Sequence, residues 1–234
     1  TERCPQFSGR VVKGIKVKES PKWMQDILRS EGIRSINNIV DIGNYVMLVT
    51  GQPLHMYDLD KLPKVELIAR DDYEGDFVAL DEKTYQVKPG DIVITSAGKP
   101  MCLGGVMGSL ECAVDENTKN VIVEAANFDF ASIRRTSLRL NLVSDSSMRF
   151  VKGINPNQYI DVQNFTAELL KEICEAEVIG DIHNYLAKPY EQKEIVTSVD
   201  YINGRLGTAF SKDEIVNALE RAFIKVSVKD NILT

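Results

Sequence analysis

Apolar residues along this chain fall into two periods, one helical and one extended, and the boundaries between them are marked by Gly, Pro, Ser and Asn. The opening Gly9-Arg10-Val11-Val12-Lys13-Gly14-Ile15-Lys16-Val17 reads as a strand interrupted by glycines. Ser20-Pro21 then predicts a helix start, with Ser20 as N-cap and Pro21 at the first helical position. Trp23, Met24, Ile27 and Leu28 form its apolar face, and Gly32 stops it. Ser35 is placed to cap a second helix with apolar positions Ile39, Val40, Tyr45, Val46 and Val49, which delivers the chain into a loop carrying His55.

From Val65 to Glu124 the pattern changes. Short apolar runs such as 65–69, 91–95 and 121–124 alternate with Asp, Gly and Lys turns, which reads as sheet. Residues 156–175 give the clearest helix, with Ile160, Phe165, Leu169, Leu170 and Ile173 on one side. The stretch 188–193 reads as a linker. Beyond it, Ser211-Lys212-Asp213-Glu214 matches a capping box before a helix at 215–223, followed by a strand at 224–228. Strands without intervening helices predict an α+β fold, with the helical segment of residues 20–50 packed on mainly antiparallel sheet from residues 65–125. Residues 1–190 make one domain. Residues 191–234 read as a truncated second α/β domain, too short for a core of its own.

Composition narrows the function classes. Of 234 residues, 44% are hydrophobic and 26% charged, ordinary for a globular protein. No apolar run approaches the roughly 20 residues of a membrane span, and the first residues lack signal-peptide character, so no membrane partner and a reducing, cytoplasmic setting are expected. Cys4, Cys102, Cys112 and Cys174 form no CxxC pair, so neither a zinc site nor a disulfide framework is indicated. A net charge of -6 argues against non-specific coating of nucleic acid. Local contact stays open, because Arg134, Arg135, Arg139, Arg149 and Lys152 face a single acid, Asp145, between Ala131 and Gly153. That stretch is either a solvated helix face or a phosphate-facing patch.

Candidate chemistry gathers in a few windows. The segment Gly51-Gln52-Pro53-Leu54-His55-Met56-Tyr57-Asp58 holds one of only two histidines, set between a turn and an aromatic–acid pair. Histidine is the side chain that titrates nearest neutrality, so His55 is a candidate site group as well as a candidate surface residue. In Leu103-Gly104-Gly105-Val106-Met107-Gly108-Ser109, three glycines allow either a β-bulge or a close backbone approach to a ligand. No Gly-Lys-Ser/Thr follows, so it is not a P-loop. Glu124 closes an apolar run, either as a solvated strand-end acid or as a specific acceptor.

These windows, taken with Ile33-Arg34-Ser35-Ile36, Val40-Asp41-Ile42-Gly43-Asn44-Tyr45-Val46 and Ser144-Asp145-Ser146-Ser147-Met148-Arg149-Phe150, resemble the bacterial phenylalanyl-tRNA synthetase β subunit in order and spacing. The resemblance covers residues 4 to about 188 as that family's paired B3 and B4 domains, and the tail from about residue 195 looks like the first half of its B5 domain. It implies an editing site at the B3/B4 interface that hydrolyses tyrosine wrongly esterified to phenylalanine tRNA. By the same resemblance His55 and Asn44 would be catalytic. Glu124 would accept the tyrosine hydroxyl, Pro53 would shape the loop, Gly105 and Gly108 would make room for the aminoacyl group, and Ser144 and Ser146 would flank the pocket's Asp. Three positions depart from the family: Gly43 stands where Thr is common, and Ser144 and Ser146 stand where Thr and Ala are common.

The implied partners are the acceptor end of phenylalanine tRNA, met by Arg134, Arg135, Arg139 and Arg149, and the synthetase α subunit in an α2β2 enzyme. ATP and magnesium are expected for the full synthetase and no cofactor for this part. The implied reaction is ester hydrolysis by a positioned water, without metal or covalent intermediate. A second site is needed because an apolar pocket rejects an added hydroxyl only about a hundredfold. Two rivals stand beside this reading. One is a serine hydrolase built from Ser144 or Ser146 with His55 and Asp145, which lacks a GxSxG elbow. The other is a non-catalytic module that binds RNA or braces the synthetase.

Overall fold

The four strands of the principal sheet come from four separate parts of the chain, and that arrangement brings the candidate residues together. In this computed structural model, which describes every residue except Lys188, Tyr190 and Gln192, the chain opens with strand β1 (Gln6–Lys13), helices α1 (Lys22–Ser30) and α2 (Asn38–Thr50), and strand β2 (Leu54–Asp58). Six short strands follow: β3 (Ile68–Arg70), β4 (Gly75–Val78), β5 (Thr84–Val87), β6 (Val93–Ser96), β7 (Lys99–Leu103) and β8 (Met107–Gly108). Then come strand β9 (Asn120–Asn127), helices α3 (Phe130–Leu140), α4 (Asp145–Lys152) and α5 (Tyr159–Cys174), and strand β10 (Val178–Leu186).

The principal sheet runs β10-β1-β9-β2 and a second sheet runs β3-β6-β7-β8, with every pairing antiparallel. β9 is covered on both faces, so its apolar run does not alternate with polar residues. Side chains on successive residues still point to opposite faces. Val12, Met56, Val121 and Val123 pack on one face against Met24, Leu28, Ile39, Ile42, Val46 and Leu170 from α1, α2 and α5. Tyr57, Ile122 and Ala126 pack on the other, against Ile94, Leu103, Ile133 and Phe150 from the second sheet and α3–α4.

The α+β class holds, with a different division of labour from the one the sequence suggests. The helices at 20–50 cover the β10-β1-β9-β2 sheet, of which only β9 lies within 65–125. The edge strand β10 was not anticipated, because its residues are mostly exposed and carry little apolar signal. Both predicted caps are corrected. Pro21 occupies the N-cap of α1 without a side-chain bond, and Asn37 caps α2 by accepting from the amides of Ile39 and Val40. Ser20 and Ser35 instead donate their hydroxyls to Asp41, which also accepts the Ile36 amide at 2.9 Å. One donor from ahead of α1 and two from the α1–α2 connection thus converge on one fully buried carboxylate.

The chain divides into two compact units, Thr1–Pro189 and Tyr190–Thr234, and the linker read at 188–193 lies partly outside the described residues. In the smaller unit, strand β11 (Thr197–Ser198), helices α6 (Val199–Leu206) and α7 (Lys212–Arg221), and strands β12 (Val228–Lys229) and β13 (Ile232–Leu233) enclose Val199, Ile215 and Leu233. The capping box at Ser211 and Glu214 forms as predicted. The predicted strand at 224–228 is replaced by the short β12–β13 pair, because the chain reverses at Asp230 with φ of 55°.

Asp41→Ala should strand the donors of Ser20, Ser35 and Ile36 in a buried site. We expect a loss on the order of 3 kcal/mol in urea unfolding, against under about 1 kcal/mol for Asp26→Ala in an exposed helical ion pair.

Candidate functional site

Helix α2 ends in a left-handed turn at Gly51, and the next three residues aim the chain into β2. Gln52 is buried and its side-chain amide donates to the carbonyls of Pro53 and Ala126, both at 3.0 Å. Pro53 has no amide to pair with β9, so the Gln52 side chain continues the sheet's hydrogen bonding past the end of β2. His55 therefore lies in a strand, not in the loop that its Gly/Pro neighbourhood suggests. It stands directly opposite Glu124 of β9. Glu124 in turn occupies the middle of an eight-residue strand at 4% exposure, which excludes the reading of a solvated strand-end acid.

Tyr57, two residues after His55, shares its face of β2. The rings meet edge to face with centroids 4.4 Å apart, and the Tyr57 hydroxyl donates to Glu124 Oε2. Burial pushes the Glu124 carboxyl up to about 7, partly offset by the hydroxyl it accepts. Burial also holds the His55 imidazolium down, to about 4, so the ring is neutral at neutral pH. His55 Nε2 is sealed from solvent and has no partner among the described residues. Such a group is usually matched by a water or ligand atom.

The turn between β7 and β8 supplies the facing wall. Gly105 has φ of 68°, and a Cβ there would lie 3.0 Å from each of Ile133, Phe128 and Phe150. A Cβ on Gly108 would lie 2.7 Å from His55 Nε2. The missing side chains thus accommodate protein atoms, aromatic core at Gly105 and the imidazole at Gly108. Ser144 is the N-cap of α4 in a capping box with Ser147, and its hydroxyl donates to the Val106 carbonyl at 2.7 Å. Ser146 donates to the Gly105 carbonyl at 3.3 Å. Both hydroxyls fasten α4 to the glycine turn, so neither is a free nucleophile, and the serine-hydrolase alternative loses its support.

One cavity of about 510 Å³ joins these walls. Asn44 and Gly43 of α2, Pro53 and His55, Gly105 and Gly108, Glu124, and Ser144 and Ser146 all line it. Asn44 makes no side-chain hydrogen bond among the described residues and is free to meet a ligand. At Gly43 the nearest atom to an added Cβ would be Met56 Cε at 3.9 Å, so this side of the cavity is open. The remaining lining is largely apolar, including Ile39, Met47, Leu80, Val106 and Phe128, as expected of a small-molecule pocket with a few placed polar groups. Among the described residues no Lys or Arg lines it. Among the described residues no three His, Cys, Asp or Glu side chains gather as a metal site.

The basic segment does not act as one patch. Arg139 pairs with buried Asp91 and donates to the Gln86 carbonyl, while Arg149 pairs with Asp145 one turn away on α4. Arg135 donates to the Ser132 hydroxyl. Arg134 and Lys152 flank a separate shallow groove of about 230 Å³ between α3 and α4. All four cysteines are buried and free, and burial raises each thiol, Cys112 and Cys174 to about 12. The residues that sequence reasoning missed are Tyr57, Leu80 and Cys102. Only Tyr57 carried a signal, being one strand period from His55.

Glu124 and His55 oppose each other in the pH dependence of stability. The folded carboxyl sits above its ordinary 4.5, so its contribution is lost as pH rises to about 7. The folded imidazole sits below its ordinary 6.5, so its contribution is lost as pH falls to about 4. Over the shared interval the two slopes offset. Glu124→Gln removes the first and leaves the second. Relative to the parent, its stability should rise by on the order of 3 kcal/mol from about pH 4.5 to about pH 8, measured by urea unfolding across pH. A constant difference would show that Glu124 titrates near its ordinary value.

Comparison with known proteins assigns the chain to a family. The B3/4 domain family model matches residues 3–175. The chain is 43% identical over 216 residues to the phenylalanine–tRNA ligase beta subunit of Streptococcus thermophilus, covering 92% of this chain and 27% of that protein. It is 41% identical over 235 residues to the same subunit of Streptococcus mutans, covering 100% of this chain and 29% of that protein. The chain therefore spans little more than a quarter of the relatives it matches. Its fold is similar to the crystal structure of an N-terminal fragment of the phenylalanyl-tRNA synthetase beta-subunit from Pyrococcus horikoshii. The TM-score is 0.50 at 14% identity, over 99% of this chain and 64% of that one. The chain belongs to the B3/4 domain family, in the form found in phenylalanine–tRNA ligase beta subunits.

Proposed function

We propose that the cavity is an editing site that hydrolyses tyrosine wrongly esterified to phenylalanine tRNA, within a phenylalanine–tRNA ligase. The observation that carries this reading is the buried carboxylate of Glu124 in an otherwise largely apolar cavity, with the neutral ring of His55 directly across the strand pair. An apolar pocket alone cannot favour tyrosine over phenylalanine, whereas a buried acceptor left unpaired by phenylalanine can. The cavity volume is in the range of small-ligand sites and suits an aminoacyl group.

Hydrolysis adds water across the ester: the water oxygen bonds to the carbonyl carbon, and the terminal ribose oxygen leaves and takes up a proton. At neutral pH His55 accepts a hydrogen bond from the attacking water through Nδ1, since Nε2 is sealed from solvent against Gly108. With its pKa near 4 it is a weak base, so it positions the water more than it removes the proton. Asn44, on the α2 wall, is placed to hold a polar atom of the ester. Holding water and ester together supplies the proximity on which such a reaction depends. In the whole enzyme the tRNA acceptor end and the α subunit would be the partners. Arg134 and Lys152, unlike Arg139 and Arg149, remain free of side-chain ion pairs among the described residues and are the better candidates for phosphate contact. The smaller unit would begin the next domain of the β subunit.

Deacylation of Tyr-tRNA and Phe-tRNA of the phenylalanine isoacceptor tests this directly. The chain should release tyrosine faster than phenylalanine. Glu124→Ala should slow the tyrosine reaction by one to two powers of ten, the worth of a hydrogen bond to a charged group, and leave the phenylalanine reaction nearly unchanged. His55→Ala should slow both. If the chain releases neither amino acid but still binds the tRNA, it is a non-catalytic module.

A further inference from the structure

We propose that Tyr57 is a positioning residue for tyrosine selectivity: its hydroxyl holds one oxygen of Glu124 and leaves the other, ionised, to receive the substrate's phenol. This inference rests on the editing reading and deepens it.

The geometry is specific. Tyr57 is fully buried, its ring is fixed edge-on against His55, and its hydroxyl donates to Glu124 Oε2. Glu124 Oε1 has no hydrogen-bond partner among the described residues, and Glu124 lines the cavity. A phenol carries one hydroxyl proton, so Tyr57 can satisfy one carboxylate oxygen and no more. The site is therefore half filled from within, by the same chemical group that the substrate would present from the other side.

The charge state of Glu124 decides what its free oxygen offers. As a carboxylate it accepts two hydroxyl donors. As an acid it can turn its own proton toward either oxygen partner, and the strong charge-assisted bond to the substrate is lost. The titratable groups facing it are His55 and Tyr57 from β2, Cys102 from β7, Cys4 ahead of β1, and Asp145 on the cavity wall at α4. At neutral pH none of these is cationic. Cys112 lies behind Tyr57 as a further neutral thiol. The Tyr57 hydroxyl is thus the one donor that offsets the burial of the carboxylate, and the balance lies close to neutrality.

Tyr57→Phe removes that donor while keeping the ring. With side-chain carboxyl 13C NMR on this chain, and Glu124 assigned through Glu124→Gln, Glu124 should titrate near neutrality in the parent and higher in Tyr57→Phe. In deacylation at about pH 7.5, Tyr57→Phe should lose roughly tenfold in preference for Tyr-tRNA, the worth of one charge-assisted hydrogen bond. The preference should recover toward higher pH, and in Glu124→Gln the Tyr57→Phe change should have no further effect. An unchanged Glu124 titration would overturn the inference. So would equal losses on both tRNAs at every pH, which would reduce Tyr57 to a packing residue. Failure of the parent chain to deacylate either tRNA would overturn the editing reading instead, and the carboxyl titration would still decide whether Tyr57 sets the state of Glu124.

Discussion

The hydrogen-bonding demands of β9 organise this molecule. A strand covered on both faces must satisfy every backbone group without water, and its two neighbours do not run its full length on both sides. β1 pairs from Asn120 to Asn127, whereas β2 reaches only Ala125. Side chains add donors, one past the end of β2 and three within the paired stretch. Gln52 reaches the Ala126 carbonyl, Gln6 and Ser8 reach Ala125, and Gln163 of α5 reaches Val123. Four buried polar residues are thus explained by one strand, and the turn that carries Gln52 also sets the start of β2 and the position of His55.

That register places chemistry in the centre of the core. Because His55 and Glu124 are opposed on neighbouring strands, they share a face, and the face is the one turned toward the glycine turn and α4. Burial pushes both groups toward their neutral forms, in opposite directions from their ordinary values. An ion pair at this position would have to desolvate two charges. A neutral imidazole avoids the cost of burying both, and the carboxyl is left close to its titration point beside a cavity.

Much of this fold was legible in the sequence because the helices and the sheet carry strong periodicity. The helix containing Leu169, Leu170 and Ile173 and the capping box at Ser211 are examples. The misplaced elements fail for identifiable reasons. Ser20 and Ser35 look like caps, but tertiary contact with Asp41 outcompetes local capping. Strand β10 lies at an edge with most side chains in water, so it has no apolar signature. His55 looks like a loop residue because the strand that holds it is announced by Gly51 and Pro53, which are also turn residues. The candidate site residues were found through resemblance and spacing. The direction in which they point was not, since the spaces left by Gly105 and Gly108 are filled by side chains remote in sequence.

Tyr57 shows the limit of reading residues one at a time. Alone it is a buried aromatic among core residues, and nothing in its sequence position distinguishes it from phenylalanine. Its hydroxyl acquires meaning only from the strand register, which sets His55 opposite Glu124 and Tyr57 one period further along the same face. A buried phenol needs an acceptor, and a buried carboxylate needs a donor. Each solves the other's problem, and the single donor of the phenol leaves one carboxylate oxygen unfilled. A fully satisfied pair would have closed the cavity to polar ligands, and an apolar pair would have left it blind to a hydroxyl. The half-satisfied arrangement leaves one carboxyl oxygen of a cavity-lining residue without a protein donor among the described residues, as an acceptor for a ligand hydroxyl.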